Sequence, residues 1–305
     1  MTTEAVIAPT VQPLPENEKF PPSRSLWGDA LLRIKRDRIA LICIGILSFY
    51  SIIALSCQLG WIATPWDKVV GAAYQPPSLS SIELIFGTDL FGRSVFYKVL
   101  HGTRIAMSVG LMSSLLSIPV GVTLGALAGY FGGWVDDLIV WFYTTISSIP
   151  NIMLLISVTF VLGKGLSAMY VALGVTAWVG LARVMRGEFI KHKSREYVLA
   201  AESLGAGHLS RIFKHILPNI SHFIIINLSI QFVSAIKSEV ILSFLGLGVQ
   251  GQPSWGVMID DAKLELSRGV WWQLAGATLA MFFVVLAFNL LGDSLRDALD
   301  PKLKH

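Results

Sequence analysis

Six stretches of this chain are long, apolar and free of Asp, Glu, Lys and Arg: 39–60, 105–131, 138–163, 166–182, 220–236 and 270–292. Crossing about 30 Å of hydrocarbon takes about 20 mostly apolar residues in a helix. A charged residue at mid-helix costs about 2.5–3.5 kcal/mol on insertion scales, so its absence from all six is a membrane signature. Backbone groups inside a bilayer must bond to one another, which a helix does locally. The expected fold class is therefore all-α, a multi-pass transmembrane helical bundle of six spans. The fourth and fifth are short, at 17 residues each. The apolar run 240–249 is too short to cross, and is either re-entrant or an extension of the fifth span. Only 14% of residues are charged, against about 25% in soluble domains, too few to solvate two soluble domains of this total length.

This divides the chain into an N-terminal tail (1–38), a first span (39–60), an outer segment (61–104), a core (105–292) and a C-terminal tail (293–305). The core carries five further spans and a loop at 183–219. Orientation follows from the basic residues. With the N-terminus inside, sixteen Lys and Arg fall inside and eight outside: Lys68, Arg93, Lys98, Arg104, Lys164, Lys237, Lys263 and Arg268. Basic residues favour the cytoplasmic side, so the expectation is N-in and C-in. The net charge of +4 then reflects topology, and nucleic acid is not an expected partner; membrane lipid is. The tail holds Pro9, Pro13, Pro15, Pro21 and Pro22 and reads as flexible. No short cleavable signal precedes 39–60, which is long enough to stay as an anchor. Cys43 and Cys57 lie about 21 Å apart on one helix, cannot bridge each other, and read as membrane-facing packing residues.

Within the spans, Gly121, Gly125, Gly129 and Gly133 recur every four residues and form a smooth ridge for close helix packing, either inside this chain or at a subunit interface. Pro119 and Pro150 predict kinks. Asn227, Gln231 and Ser234 form a polar stripe in the fifth span, lining a pathway or bonding between helices; Asn289 in the sixth reads as structural. No ionisable residue within the predicted spans offers ion coupling. No metal-ligand spacing appears among His101, His192, His208, His215, His222 and His305, and no Walker A loop is present. No metal site, bound cofactor or catalytic residue is therefore expected. Gly246, Gly248 and Gly251 spell GxGxxG, but Pro253 follows closely where a dinucleotide site needs a helix.

The loop after the fourth span is punctuated like two helices. Ser194 is a candidate N-cap and Glu196 suits a first turn. Tyr197, Ala200, Ala201 and Leu204 follow helical spacing, and Gly205 reads as the left-handed residue ending that helix. A second stretch carries Leu209, Ile212, Phe213 and Ile216 on one face, with Arg211, Lys214 and His215 on the other. Pro218 is expected to stop it. Faces of this kind bury against the chain's own spans or against another protein. The outer segment contains Pro76-Pro77 and an amphipathic piece with Val95, Phe96, Val99 and Leu100, read as an interfacial cap or as a contact for a substrate-delivering protein.

This loop resembles the EAA loop of bacterial ABC-importer permeases. Gly87-Thr88-Asp89 with Gly92-Arg93 is similar to the GTDxxGRD signature of the dipeptide/oligopeptide/nickel permease family. Gly129-Tyr130-Phe131-Gly132-Gly133-Trp134-Val135-Asp136 resembles its next signature. Ser243-Phe244-Leu245-Gly246-Leu247-Gly248-Val249-Gln250, then Pro253-Ser254-Trp255-Gly256, resembles a third. Asn289-Leu290-Leu291-Gly292-Asp293, with Leu295-Arg296-Asp297-Ala298-Leu299-Asp300-Pro301, matches its C-terminal end. Ala200, Ala201 and Gly205 match the core of the EAA loop and Leu217-Pro218 its closing pair. Leu199 stands at the motif's glutamate, with Glu196 or Glu202 as substitutes, and Ser94 replaces the last aspartate of GTDxxGRD. The resemblance implies a type I importer permease of the C type, working with a homologous permease, two cytoplasmic ATPases that use ATP and Mg, and an extracytoplasmic binding protein. The chain would itself be non-catalytic and located in the inner membrane. The implied cargo is a peptide, with nickel or another small solute as the alternative. Outside the family, the rival reading is an autonomous channel or secondary transporter.

Overall fold

The computed structural model describes residues 26–299. The tail before residue 26, with its five prolines, and the Asp300-Pro301 end of the last signature lie outside the described residues. The described chain is helical, with two isolated β-bridges, Val69 to Arg93 and Thr88 to Ser94. Its helices are α1 (Leu26–Arg36), α2 (Arg38–Gln58), α3 (Val95–Phe131), α4 (Gly133–Ser147), α5 (Asn151–Leu162), α6 (Leu166–His192) and α7 (Glu196–Ser203). A single turn α8 (His208–Ser210) leads through a π-helical turn (Arg211–Ile216) into α9 (Leu217–Phe244), followed by α10 (Trp255–Leu266) and α11 (Trp272–Leu299). Five helical segments are long and apolar enough to cross a membrane, and the bent pair α4–α5 makes up to six.

Several expected boundaries move. α3 begins at Val95, ten residues before the apolar run, and at 37 residues extends about 55 Å. The amphipathic piece Val95, Phe96, Val99 and Leu100 is thus the start of this helix, and not a separate surface element. Val95 and Val99 join a core with Trp255, Met258 and Trp272. The third stretch is two helices meeting at 87°. Pro150, without an N–H, heads α5 and disfavours helix at Ile149, which turns an expected kink into a break. Pro119, by contrast, stays inside an unbroken α3. Pro218 does not stop its helix either: it sits in the first turn of α9, where a missing N–H is tolerated. Ahead of it the π turn, closed by Leu217 N–H to Ile212 O, carries the chain through. α9 also runs past 236 and takes in Lys237 and Glu239. Glu239 is fully buried and accepts a 2.7 Å bond from Ser243 Oγ, so the charge-free fifth span is shorter than its helix.

The run 240–249 splits. Its first half completes α9, and Gly246, at φ +74°, turns the chain out. Leu247 N–H reaches Leu242 O and Gly246 N–H reaches Ser243 O, the paired bonds of a Schellman cap. Gly246 therefore serves the backbone as a helix cap. The cysteines are both free and buried; Cys43 packs with Leu47 and Ala287 of α11, facing the bundle and not lipid.

α3 is the central strut, packing against α6, α9, α2 and α11. Along the α3–α6 seam a Cβ at Gly121 would stand 2.9 Å from Trp178 O, and one at Gly125 2.6 Å from Ala182 O. At Gly129 it would meet Arg186 O. Both helices advance four residues per contact in the same sense, so they run parallel. Gly133 belongs to α4, with φ +55° and no neighbour within 4 Å, and lies off this ridge.

At its N-terminal end, Ser94 caps α3: its Oγ accepts from Tyr97 N–H at 3.3 Å and donates to Glu83 O at 2.6 Å. The residue is fully buried. An aspartate there would cap but could not donate to that carbonyl, which explains serine at the family's aspartate position. Ser94→Ala is expected to lower stability by about 1 kcal/mol, the usual loss of a cap. Ser94→Asp should not restore it, read as melting temperature in detergent.

Candidate functional site

α6 continues ten residues beyond the apolar stretch, to His192. This extension is tied to α4 by the Asp136 carboxylate, which accepts from Arg186 Nε and, at 2.6 Å, from Arg186 Nη2. A two-pronged carboxylate–guanidinium contact holds geometry as well as charge. α7 then starts at Glu196. Its N-cap is Arg195, which makes no side-chain capping bond; Ser194 lies one residue too early to cap. Tyr197 Oη lies 2.8 Å from His192 Nδ1.

Gly205, at φ +86°, closes α7 with a full Schellman pair, Ala206 N–H to Ala201 O and Gly205 N–H to Glu202 O. Val198 and Ala201 point inward and are buried. Val198 joins Met185, Phe189, Ile212, Ile216 and Ile220 in one core. The opposite side is open and apolar: Leu199 is 49% exposed, Leu204 88%, Leu209 70% and Phe213 58%, with Ala200 exposed between them. The expected apolar faces are therefore split. Ala201, Ile212 and Ile216 anchor the loop, whereas Ala200, Leu204, Leu209 and Phe213 face away from the chain. Glu196, Gly205 and Pro218 are exposed and Leu217 is half-buried.

A polar clasp fixes this surface. Arg211, expected on the solvent face, is buried. It pairs with Glu202 of α7, bonds His208 Nδ1 at 3.0 Å and lies over the Tyr130 ring of α3 at 5.8 Å. Tyr130 Oη is 3.0 Å from the same His208 nitrogen, and Lys193 Nζ reaches Tyr130 O at 3.5 Å. Glu202 is thus already engaged, and Leu199, at the motif's glutamate, points outward and breaks no internal pair. The clasp joins residues up to 81 positions apart, and only Tyr130, within a quoted signature, carried a hint of it.

The polar stripe of α9 does not act as one unit. Gln231 is buried, accepts from Ser117 Oγ at 2.6 Å and donates to Ala177 O at 3.4 Å, bridging α3 and α6. Asn227 donates to Phe223 O of its own helix at 2.8 Å, and Ser234 is exposed. Among the described residues no group of three or more His, Cys, Asp or Glu is placed to hold a metal ion.

A family model described as binding-protein-dependent transport system inner membrane component matches residues 121–305, which hold this clasp, and the N-terminal transmembrane domain of oligopeptide transport permease C matches residues 25–77. The chain belongs to this permease family. Among its relatives, the dipeptide transport system permease protein DppC of Bacillus subtilis is 38% identical over 93% of this chain and 88% of that protein. The oligopeptide transport system permease protein OppC of the same organism is 34% identical, over 92% of each. The glutathione transport system permease protein GsiD of Pectobacterium atrosepticum is 40% identical over 72% of each. In fold, the permease is similar to the MetNI methionine ABC transporter in its inward facing conformations, with a TM-score of 0.51 over 66% of this chain and 93% of that one, at 18% identity. The permease is accordingly a multi-pass subunit of an ABC importer, and the clasped loop lies within the matched family region.

Proposed function

We propose that this permease forms, with a homologous partner permease, the membrane pathway of an ATP-driven importer of di- or oligopeptides. An extracytoplasmic binding protein delivers the cargo. Two separate ATPases, which bind ATP and Mg, dock on the loop 194–218; the permease itself carries no catalytic site. The termini lie in the cytoplasm, in keeping with the basic-residue bias. Relatives named for dipeptide, oligopeptide and glutathione transport support a peptide cargo.

The observation that carries the docking reading is the loop's two-sidedness. Val198, Ala201, Ile212 and Ile216 bind it to the bundle, and Leu199, Ala200, Leu204, Leu209 and Phe213 form an apolar surface with nothing over it. Contiguous exposed apolar area of this kind marks interaction sites. A partner seated there moves the whole rigid segment and, through α6 and α9, the spans, a switch between two packed arrangements. Asn227 and Ser234 are the stripe residues we assign to the pathway; Gln231 serves as their interhelical support.

Gly205 tests this. A Cβ there meets nothing within 4 Å, so Gly205→Val adds left-handed backbone strain of about 1–2 kcal/mol and reshapes the docking turn without disturbing the core. Uptake of a labelled dipeptide in cells is expected to fall at least about tenfold, the effect of about 1.4 kcal/mol, with membrane insertion intact. Unchanged uptake would sink the docking assignment.

A further inference from the structure

The helix before the first span has a mixed face that neither water nor hydrocarbon suits. α1 packs beside α11 and the start of α2, and Asp37 holds the corner. Asp37 Oδ1 accepts from Ile39 N–H at 2.9 Å and Oδ2 from Ser294 Oγ at 2.8 Å. α1 is therefore fastened to the bundle. Its outward arc nevertheless exposes Leu31 by 56% and Leu32 by 42%. One turn further, at i+4, stand Lys35 and Arg36, both exposed, and Arg38 opens α2 exposed as well. Among the described residues none of these three cations has an ion-pair partner. Beyond the three cations the apolar exposure resumes in α2, where Ile39, Leu41 and Ile42 are exposed by 55, 47 and 63%.

Two simpler accounts fall short. Cations in the last turn of α1 suit its dipole, which leaves Leu31 and Leu32 unexplained. The positive-inside bias explains on which side of the membrane the cations lie, and says nothing about the exposed leucines one turn before Lys35 and Arg36. A face that pairs apolar stubs with cations fits the headgroup layer, where leucines enter the acyl boundary and lysine and arginine stems reach the phosphates.

We propose that the outward face of α1 and the entry to α2 bind anionic phospholipid headgroups, with Lys35, Arg36 and Arg38 as the phosphate-facing cations and Leu31 and Leu32 in the acyl boundary. The corner at Asp37 sets α1 against the leaflet that α2 enters, so that the site is built by the fold and not by a free tail.

The test uses the full-length chain with Leu32→Cys carrying an environment-sensitive fluorophore; the native Cys43 and Cys57 are buried and take up little label. It is placed in nanodiscs of phosphatidylcholine and phosphatidylglycerol, with bromines on one lipid or the other. Both brominated lipids should quench, and phosphatidylglycerol about fivefold more efficiently per molecule, the effect of one cation at a charged surface. That preference should collapse in 0.5 M salt, since the screening length shortens to about 4 Å. Lys35→Gln/Arg36→Gln/Arg38→Gln should remove the preference and keep the phosphatidylcholine quenching. No quenching by either lipid would mean that protein covers this face, and would overturn the proposal. So would equal quenching by both lipids, or a preference that ignores salt; these two readouts need no substituted cation and hold even if the triple variant fails to fold.

Discussion

Lys98→Met is expected to cost this permease about 3–5 kcal/mol, the range for removing one member of a buried ion pair. The Lys98 side chain is 3% exposed and its ammonium is the hub of the outer cap. Nζ lies 3.1 Å from Asp89 Oδ2, 2.9 Å from Gln273 Oε1 and 3.7 Å from Asp261 Oδ2. One group thus joins the outer loop, α3, α10 and α11. Asp89 is otherwise served by the N–H groups of Phe91 and Arg93 and by Arg93 Nε. Burial alone would raise the Asp89 pKa; Lys98, with the Arg93 backbone bond and charge, holds it below the ordinary value of 3.8. Methionine fills the same space and leaves that carboxylate buried beside Asp261 and Glu265. Glu265 is itself buried with one oxygen unpartnered, and burial raises its pKa. A depressed carboxylate contributes stability above its unfolded pKa and loses it as pH falls through the folded one. The gap between wild type and variant should therefore be widest at neutral pH and narrow below the ordinary carboxylate range. Thermal melts in detergent from pH 7 to pH 3 measure it; a gap that does not change with pH would point to lost packing instead of lost charge.

The same lysine shows why the outer end of α3 escaped a reading by hydropathy. Lys98, His101 and Arg104 interrupt the apolar pattern over 95–104, and only partners far along the chain, Gln273 being 175 residues away, make a lysine tolerable there. The spans themselves were legible because the bilayer admits few alternatives to an apolar helix. Gly205 and Gly246 lie outside those spans and act through the backbone; the first was legible as a left-handed stop, and the second only as part of a family signature and an unsuitable nucleotide motif, not as a helix cap. Pro150 and Pro218 look alike in sequence and part ways in the fold. The first heads a new helix at 87°, whereas the second rides in the first turn of α9 behind a π turn. No local pattern separates those outcomes, because the neighbouring packing decides them. The loop 194–218 was legible as two amphipathic pieces, but not which half of each face would turn inward. Val198 and Ala201 turn inward because Arg211 pairs with Glu202 and stacks on Tyr130, and that geometry exists only once α3 and the loop meet.

The seam between α3 and α6 sets the second large effect, because the motion proposed for the loop 194–218 requires the helices bearing it to move as one body. Gly125→Val is expected to abolish the folded permease. A Cβ at Gly125 would stand 2.6 Å from Ala182 O and 2.6 Å from Met185 Cβ, with Arg186 N at 3.1 Å. Two of these three atoms are backbone and the third is a Cβ, so no side-chain rotation relieves the clash and the helices must separate. Overpacking alone costs about 1–3 kcal/mol; separation also withdraws Leu181, Met185 and Phe189, which are fully buried, from the core that anchors Val198 and Ile212. A total of about 3–8 kcal/mol follows, since losing a large buried side chain's contacts costs about 2–5 kcal/mol. Gly45→Ala is the matched control: it lies in α2 with nothing within 4 Å of an added Cβ, and is expected to be neutral or to stabilise by up to about 1 kcal/mol through helix propensity. The yield of monodisperse protein on size exclusion reads both. If Gly125→Val instead folds and only loses uptake, the seam is a sliding contact used in transport and not a rigid strut, and the loop's motion would have to reach the pathway through α9.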